Sequence, residues 1–111
     1  MSAAEFEAYT TGKTLYYGRQ GAPYGAEVYH KDRRVQWSFL DGQCLEGEWY
    51  EAENGLICFL YEDRETPQCW SFAEGSGGLI ARFENNPEAI ALYEAQDRNE
   101  ELLCLGPKVG V

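Results

Sequence analysis

The chain has 111 residues, a length that fits one domain with a single, modest hydrophobic core. Hydrophobic residues make up 44% of it and aromatic residues 14%, which excludes a disordered chain. Its formal net charge of -10 disfavours nucleic acids and anionic membrane surfaces as partners and favours a basic protein. We therefore expect residues 1–111 to form one domain that binds no nucleic acid. No apolar run is long enough for membrane insertion.

The N-terminal residues predict a short helix over residues 2–10. Ser2 can cap this helix, and Glu5, three residues later, completes a capping box. The same stretch lacks the basic start and the apolar run of a signal peptide. The chain is therefore either cytosolic or begins after a leader that has been removed.

Beyond the helix, short runs rich in β-branched and aromatic residues alternate with turn residues, at a spacing of about eight to twelve residues. This pattern predicts an all-β fold, an antiparallel meander of eight or nine short strands that forms a small barrel or a curled sheet. The predicted strands cover residues 13–17, 26–30, 34–40, 44–51, 56–61, 68–73, 79–83, 90–95 and 102–105.

Alternation along these strands predicts one aromatic inner face. A three-residue loop at 41–43 would set Trp37 opposite Gly47, whose missing side chain leaves room for the indole ring. A loop at 53–55 would set Trp49 opposite Phe59. The rings are expected to fill the interior, and this face is predicted to contain Trp37, Phe39, Trp49, Phe59, Tyr61, Trp70 and Phe72.

The four cysteines form no Cys-x-x-Cys motif, and the lone His30 has no cysteine nearby, so neither a metal nor a cofactor is expected. They are either buried free thiols or two disulfides. A hairpin over 56–73 would place Cys58 opposite Cys69, within reach of a bridge. Elimination leaves Cys44 and Cys104 as a second pair. Disulfides favour a periplasmic or secreted protein whose signal peptide has been removed.

Three segments, "GEWYE" at 47–51, "ICFLYE" at 57–62 and "CLGPKVGV" at 104–111, resemble a family of small exported bacterial proteins, a domain of unknown function. The resemblance implies a secreted or periplasmic domain with paired cysteines. The segment "GEWYEA" at 47–52 is also similar to the lipocalin G-x-W signature, which implies a calycin-like barrel. In lipocalins that signature lies on the first strand, whereas here it lies in the middle of the chain.

Catalytic residues are not expected. The only histidine, His30, falls in a predicted turn beside basic residues. Glu46 and Glu48 alternate as paired glycosidase acids do, and the same spacing is typical of a strand that faces solvent. We therefore predict that the protein is not an enzyme.

Two binding functions remain. Residues 41–65 contain eight Asp/Glu against the single Arg64, which predicts an acidic face that binds or inhibits a basic protein. That face is assigned to Glu46, Glu48, Tyr50, Glu62, Asp63 and Glu65. The alternative is a calycin-like carrier of a small molecule. Its groove at one rim would use Tyr16, Tyr17, Tyr24 and Tyr29, with Arg19 and Arg33 as polar anchors.

Overall fold

The computed structural model describes residues 1–86 and 88–95. They form one short helix and eight antiparallel strands that close into a barrel, as the sequence predicted. A 3-10 turn at Lys31–Arg33 joins the second strand to the third. The elements are α1 Ala3–Thr10, β1 Thr14–Arg19, β2 Ala22–Tyr29, β3 Arg34–Ser38, β4 Leu45–Glu51, β5 Ile57–Tyr61, β6 Gln68–Gly75, β7 Gly78–Phe83 and β8 Leu92–Glu94.

Each strand pairs with the next one along the chain, so the connections alternate between the two ends of the barrel. The short strand β8 closes the ring, because Leu92 pairs with Ala81 of β7 and Glu94 pairs with Tyr17 of β1. Within the described part of the chain, β8 thus joins the two edge strands of the meander, which would otherwise be open to other chains. The predicted strand at 102–105 lies outside the described residues.

Helix α1 begins with the capping box that the sequence predicted. The Ser2 hydroxyl accepts a hydrogen bond from the Glu5 amide at 3.1 Å, and the Glu5 carboxylate accepts one from the Ser2 amide at 2.8 Å. These bonds satisfy amide groups that a helix start would otherwise leave unpaired. The cap therefore fixes where the helix starts, next to the barrel.

The helix closes one end of the barrel with Phe6, which is completely buried. The Phe6 ring lies 4.4 Å from the ring of Phe72 and 5.1 Å from that of Trp49, measured between centroids. Above it, the Arg33 guanidinium contacts the Trp49 ring at 4.4 Å and pairs with Glu7 at 3.1 Å. We call this the closed end, and the opposite one the open end.

The predicted inner face is largely confirmed. Trp37, Trp49, Phe59, Tyr61 and Phe72 are buried, and Trp70 is half-buried against them. These residues come from four strands, which places the core at the centre of the barrel.

Phe39 was predicted to lie in this core, and that prediction is wrong, because its side chain is 47% exposed. Strand β3 ends at Ser38, and Leu40 has a positive φ of 68°, so the chain turns away from the inner face at this point. The Ser38 hydroxyl accepts a hydrogen bond from the Leu40 amide and holds the turn. Phe39 therefore lies at the open end.

The predicted register of β3 against β4 is wrong by two residues. Trp37 pairs with Leu45, and Val35 pairs with Gly47, because the connection spans residues 39–44 rather than three residues. A shift of two keeps every side chain on its predicted face. The glycine that makes room for the Trp37 indole is Gly25, where an added Cβ would overlap the ring.

The registers predicted for β4, β5 and β6 are confirmed. Trp49 pairs with Phe59, and Cys58 pairs with Cys69 on the outer face, where the two cysteines form a disulfide. The predicted bridge between Cys44 and Cys104 involves a residue outside the described part of the chain.

Candidate functional site

The inner rings do not fill the barrel, contrary to the expectation from the sequence. A cavity of about 150 Å³ lies between the core and the open end. Phe6 fills the closed end, but towards the open end one wall consists of Ala81 and Leu92, where the sequence supplies no ring. The barrel formed by residues 1–86 and 88–95 therefore contains a pocket near its open end.

Aromatic side chains form the entrance. Tyr24, Trp37 and Phe39 contact one another on one side, with ring centroids 5.3–5.9 Å apart. Trp70 and Phe83 form a second pair at 4.9 Å on the other side. Phe39 is the most exposed of the five, and their rings give any molecule that enters a largely apolar surface.

Tyr24 reaches the entrance because of a β-bulge. The pairing of β1 with β2 shifts between Tyr17 and Gly18, so Tyr24 has no direct partner on β1. Regular alternation would place Tyr24 on the outer face, since its neighbour Gly25 lies on the inner face opposite Tyr17. A bulge redirects the side chain of the extra residue, and here Tyr24 lines the cavity.

Among the residues that the structure describes, one carboxyl group lies inside the pocket. Glu27 is only 3% exposed, and its two carboxyl oxygens each lie 2.9 Å from the Tyr61 hydroxyl, which donates to them. Burial raises the pKa of Glu27 well above its ordinary value, and the hydrogen bond from Tyr61 offsets part of that rise. This environment therefore favours the protonated carboxylic acid.

A second polar pair lies between Glu27 and the closed end. The hydroxyls of Tyr17 and Tyr29 are 2.8 Å apart, and both side chains are buried. Burial raises the pKa of both phenols, so they stay neutral. Glu27 is thus the group in this interior that can change its charge.

The open end also has a basic side chain, which the sequence analysis did not assign to this site. Arg64 lines the cavity from the turn between β5 and β6. Its side chain is 44% exposed, and its Nε lies 3.6 Å from Asp63. Arg64 therefore lies at the rim in contact with solvent, partly neutralised by its neighbour.

The residues predicted for a small-molecule groove are only partly brought together. Tyr17, Tyr24 and Tyr29 line the cavity. Arg19 lies over the Tyr24 ring at 5.3 Å, beside the entrance. The other two lie elsewhere, since Tyr16 pairs with Ala26 on the outer face and Arg33 covers the closed end.

Glu27 and Tyr61 were not among the residues predicted for this groove. One feature of the sequence could have predicted that Glu27 faces inward. It lies two residues before Tyr29, and alternation along a strand puts both side chains on the same face. An acid on an aromatic inner face is unusual enough to indicate a site.

The residues predicted to form an acidic face lie at the surface of the barrel. Glu46 and Glu48 are exposed on β4 and point outward. The Glu46 amide donates to the Glu62 carboxylate at 2.6 Å, which holds the turn after β5 against the start of β4. Among the described residues, the six that form this face are all exposed: Glu46, Glu48, Tyr50, Glu62, Asp63 and Glu65.

Other kinds of site are not found in residues 1–86 and 88–95. No cluster of three or more His, Cys, Asp or Glu side chains there could hold a metal ion. His30 is exposed and makes a hydrogen bond with Gln36 at 3.1 Å. None of the helices in this part of the chain has the length and apolar character needed to cross a bilayer.

No family model, no curated protein and no solved structure matches this chain. The pocket and the acidic face are therefore the two features from which a function can be inferred. The pocket lies inside the barrel and the acidic face on its outer wall, and they adjoin at the turn after β5, where Arg64 lines the cavity beside Asp63.

Proposed function

We propose that this protein is a non-enzymatic binding protein that takes a small, largely apolar molecule into its barrel, as a calycin-like carrier does. The observation that carries the proposal is the cavity of about 150 Å³, open at one end, with aromatic walls and one buried carboxyl group. Eight-stranded barrels are wide enough to hold one small ligand. An apolar cavity of about this volume accommodates a molecule the size of benzene. The expected ligand is therefore one ring with a short substituent.

Binding without catalysis is supported by the residues that line the cavity. Among the described residues, the lining includes no His, Cys, Ser, Thr or Lys, which are the usual nucleophiles and bases. In the described part of the chain, the titratable neighbours of Glu27 inside the barrel are tyrosines, and burial raises the pKa of Tyr17, Tyr29 and Tyr61. A complementary acid and base near neutral pH is therefore missing from this lining.

An oxidising, extracytoplasmic location, periplasmic or secreted, is part of the proposal. It is supported by the Cys58–Cys69 disulfide, because such bridges persist mainly outside the reducing cytosol. A carrier or a sensor of small molecules has an obvious place in that compartment.

The pocket can be tested with one-ring probes and a blocking substitution. Leu45 and Leu60 are both half-buried leucines, but Leu45 lines the cavity whereas Leu60 points outward from β5. Calorimetric titration with benzyl alcohol, benzylamine and benzoate should find binding of at least one probe to the wild type. Leu45→Trp should weaken that binding by about tenfold or more, because its indole occupies the entrance, whereas Leu60→Trp should change it by less than about twofold.

Two results would contradict the proposal. The first is that none of the three probes binds to the folded wild type. The second is that Leu60→Trp weakens binding as much as Leu45→Trp, which would place the bound probe outside the barrel.

A second candidate function uses the acidic face, which we propose as a docking surface for a basic protein. That partner can be an enzyme that this protein inhibits. The observation that favours it is the hydrogen bond from the Glu46 amide to the Glu62 carboxylate. This bond brings acids of β4 close to acids of the turn after β5. Closely spaced carboxylates attract a cationic partner, and salt weakens the attraction. Salt-dependent association with a basic protein is its test.

A further inference from the structure

The buried carboxyl of Glu27 is not explained by the stability of the barrel. A carboxyl group removed from water costs free energy unless a cation compensates it. In the described parts of the chain, neither ion pair involves Glu27, and its hydrogen bonds come from Tyr61. An amide or an apolar side chain at this position would avoid the cost, so the acid has a use that folding does not supply.

Aromatic rings surround the same position. Trp37 is the direct cross-strand neighbour of Glu27 on the inner face, so their β-carbons are about 5 Å apart. Tyr24 and Phe39 continue this wall from Trp37 to the entrance. The faces of aromatic rings attract cations, and rings arranged around a site are a recurrent means of binding organic ammonium groups.

Arg64 does not supply the missing charge. It lies at the rim, nearly half in solvent, with Asp63 beside it. An anionic ligand could pair with Arg64 at the rim. Deeper in the barrel, however, its negative charge would be repelled by the ring faces and by the Glu27 carboxyl. A cationic ligand has to pass Arg19 and Arg64 at the rim, but inside the barrel it meets ring faces and the Glu27 carboxyl, and the net charge of -10 attracts it from a distance.

We propose that the ligand of this barrel is a one-ring organic ammonium ion whose N–H groups donate to the Glu27 carboxylate while the ring lies against Trp37. This inference rests on the proposed function and specifies its ligand class. When the ammonium ion binds, the carboxylic acid of Glu27 gives up its proton to the solvent, and the resulting carboxylate pairs with the ammonium. One ligand therefore enters and one proton leaves, and no covalent bond to the ligand forms or breaks.

The proton released must come from Glu27, given the groups that face it. Tyr61 on β5, Tyr17 on β1 and Tyr29 on β2 are buried phenols that stay neutral. Arg64, in the turn after β5, keeps its charge at every relevant pH. Trp37, on β3, does not titrate.

The test compares benzylamine with its neutral and anionic counterparts, benzyl alcohol and benzoate. Benzylamine should bind to the wild type at least about tenfold more tightly than either of the others. Titrations in two buffers of different ionisation enthalpy should show release of about one proton, and affinity should rise by up to about tenfold per pH unit while Glu27 is protonated.

The matched variant is Glu27→Gln, which keeps the shape of the side chain and an oxygen that accepts from Tyr61. It should weaken the binding of benzylamine by about tenfold or more and change the affinity for benzyl alcohol by less than about threefold. Tighter or equal binding of benzyl alcohol or benzoate to the wild type, or an unchanged benzylamine affinity in the variant, overturns the ammonium inference and leaves the carrier standing. Failure of all three probes overturns the carrier itself.

Discussion

At the scale of single residues, Glu27 is the feature that distinguishes this barrel from a closed hydrophobic core. Its neighbours are rings and tyrosine hydroxyls, and the Tyr61 hydroxyl that reaches it comes from a strand on another side of the barrel. Gly25 is the other decisive residue, because an added Cβ would overlap the Trp37 indole and lie 2.7 Å from the Ser38 carbonyl oxygen. Glu27 thus supplies the carboxyl group, and Gly25 leaves the space in which the Trp37 ring lies next to it.

Glu27 should make the stability of the protein depend on pH. Because burial raises its pKa in the folded state, the folded protein retains a proton that the unfolded chain loses above its ordinary pKa of about 4.3. The free energy of unfolding should therefore fall as the pH rises from there through the folded pKa, by at most about 1.4 kcal/mol per pH unit.

Glu27→Gln removes this contribution and leaves the other titrating groups in place. The stability of the variant minus that of the wild type, from urea unfolding between pH 4 and pH 8, should increase with pH. A difference that stays flat across this range would show that Glu27 titrates as an exposed acid does.

At the scale of elements, each hairpin of the meander is a local unit, and the β5–β6 hairpin has a covalent bridge. Cys58 and Cys69 are 11 residues apart in the sequence, and their Cα atoms are 4.0 Å apart. Helix α1 is the other element that sets the architecture. It fills the closed end with Phe6, so the pocket formed by the described residues opens at the opposite end.

Removing the Cys58–Cys69 bridge should lower the free energy of unfolding by about 2–3 kcal/mol, because the unfolded chain then regains the freedom of an open loop of this length. Cys58→Ala/Cys69→Ala, measured by urea unfolding beside the wild type, tests the magnitude. In native protein purified without reductant, mass spectrometry after alkylation should find both cysteines unmodified. Alkylated Cys58 and Cys69 in that material would contradict both the bridge and the oxidising location.

At the scale of the whole molecule, charge is unevenly distributed along the chain and over the surface. The first 34 residues hold five Lys/Arg and four Asp/Glu, whereas the rest of the chain holds four Lys/Arg and fifteen Asp/Glu. The basic residues Arg19 and Arg64 lie near the entrance of the pocket, and the acidic face lies on the outer wall formed by β4 and the turn after β5. The two surfaces adjoin at this turn, because Arg64 at the rim of the pocket lies beside Asp63 of the acidic face.

The acidic face should accelerate association with a small basic protein, for which lysozyme is a suitable probe. Glu46→Gln/Glu48→Gln should slow association at low salt by about threefold or more, and the difference should shrink as salt rises. Glu53→Gln/Glu88→Gln is the matched control, since it changes the net charge equally at exposed sites away from this face. Equal slowing by both pairs would show that net charge alone attracts the probe.

Local patterns determined the fold class and much of the pairing. The capping box at Ser2 and Glu5, the turn residues between strands and the alternation of rings all act within a few residues, so they could be interpreted from the sequence. The pairing of Cys58 with Cys69 followed from one hairpin. The β3–β4 register was missed because nothing local indicated the positive φ of Leu40, which lengthens that connection.

The sequence by itself therefore determined an antiparallel meander, the side of strands β3 to β6 that faces inward and the pairing of Cys58 with Cys69 on the outer wall. Only the tertiary structure decided that the rings leave a cavity, that Phe39 lies at its entrance, and that Glu27 meets Tyr61, 34 residues further along the chain. The physical reason is that a strand's own pattern fixes which way its side chains point. Closing the barrel around Phe6 fixes which of those side chains meet and how much space remains between them.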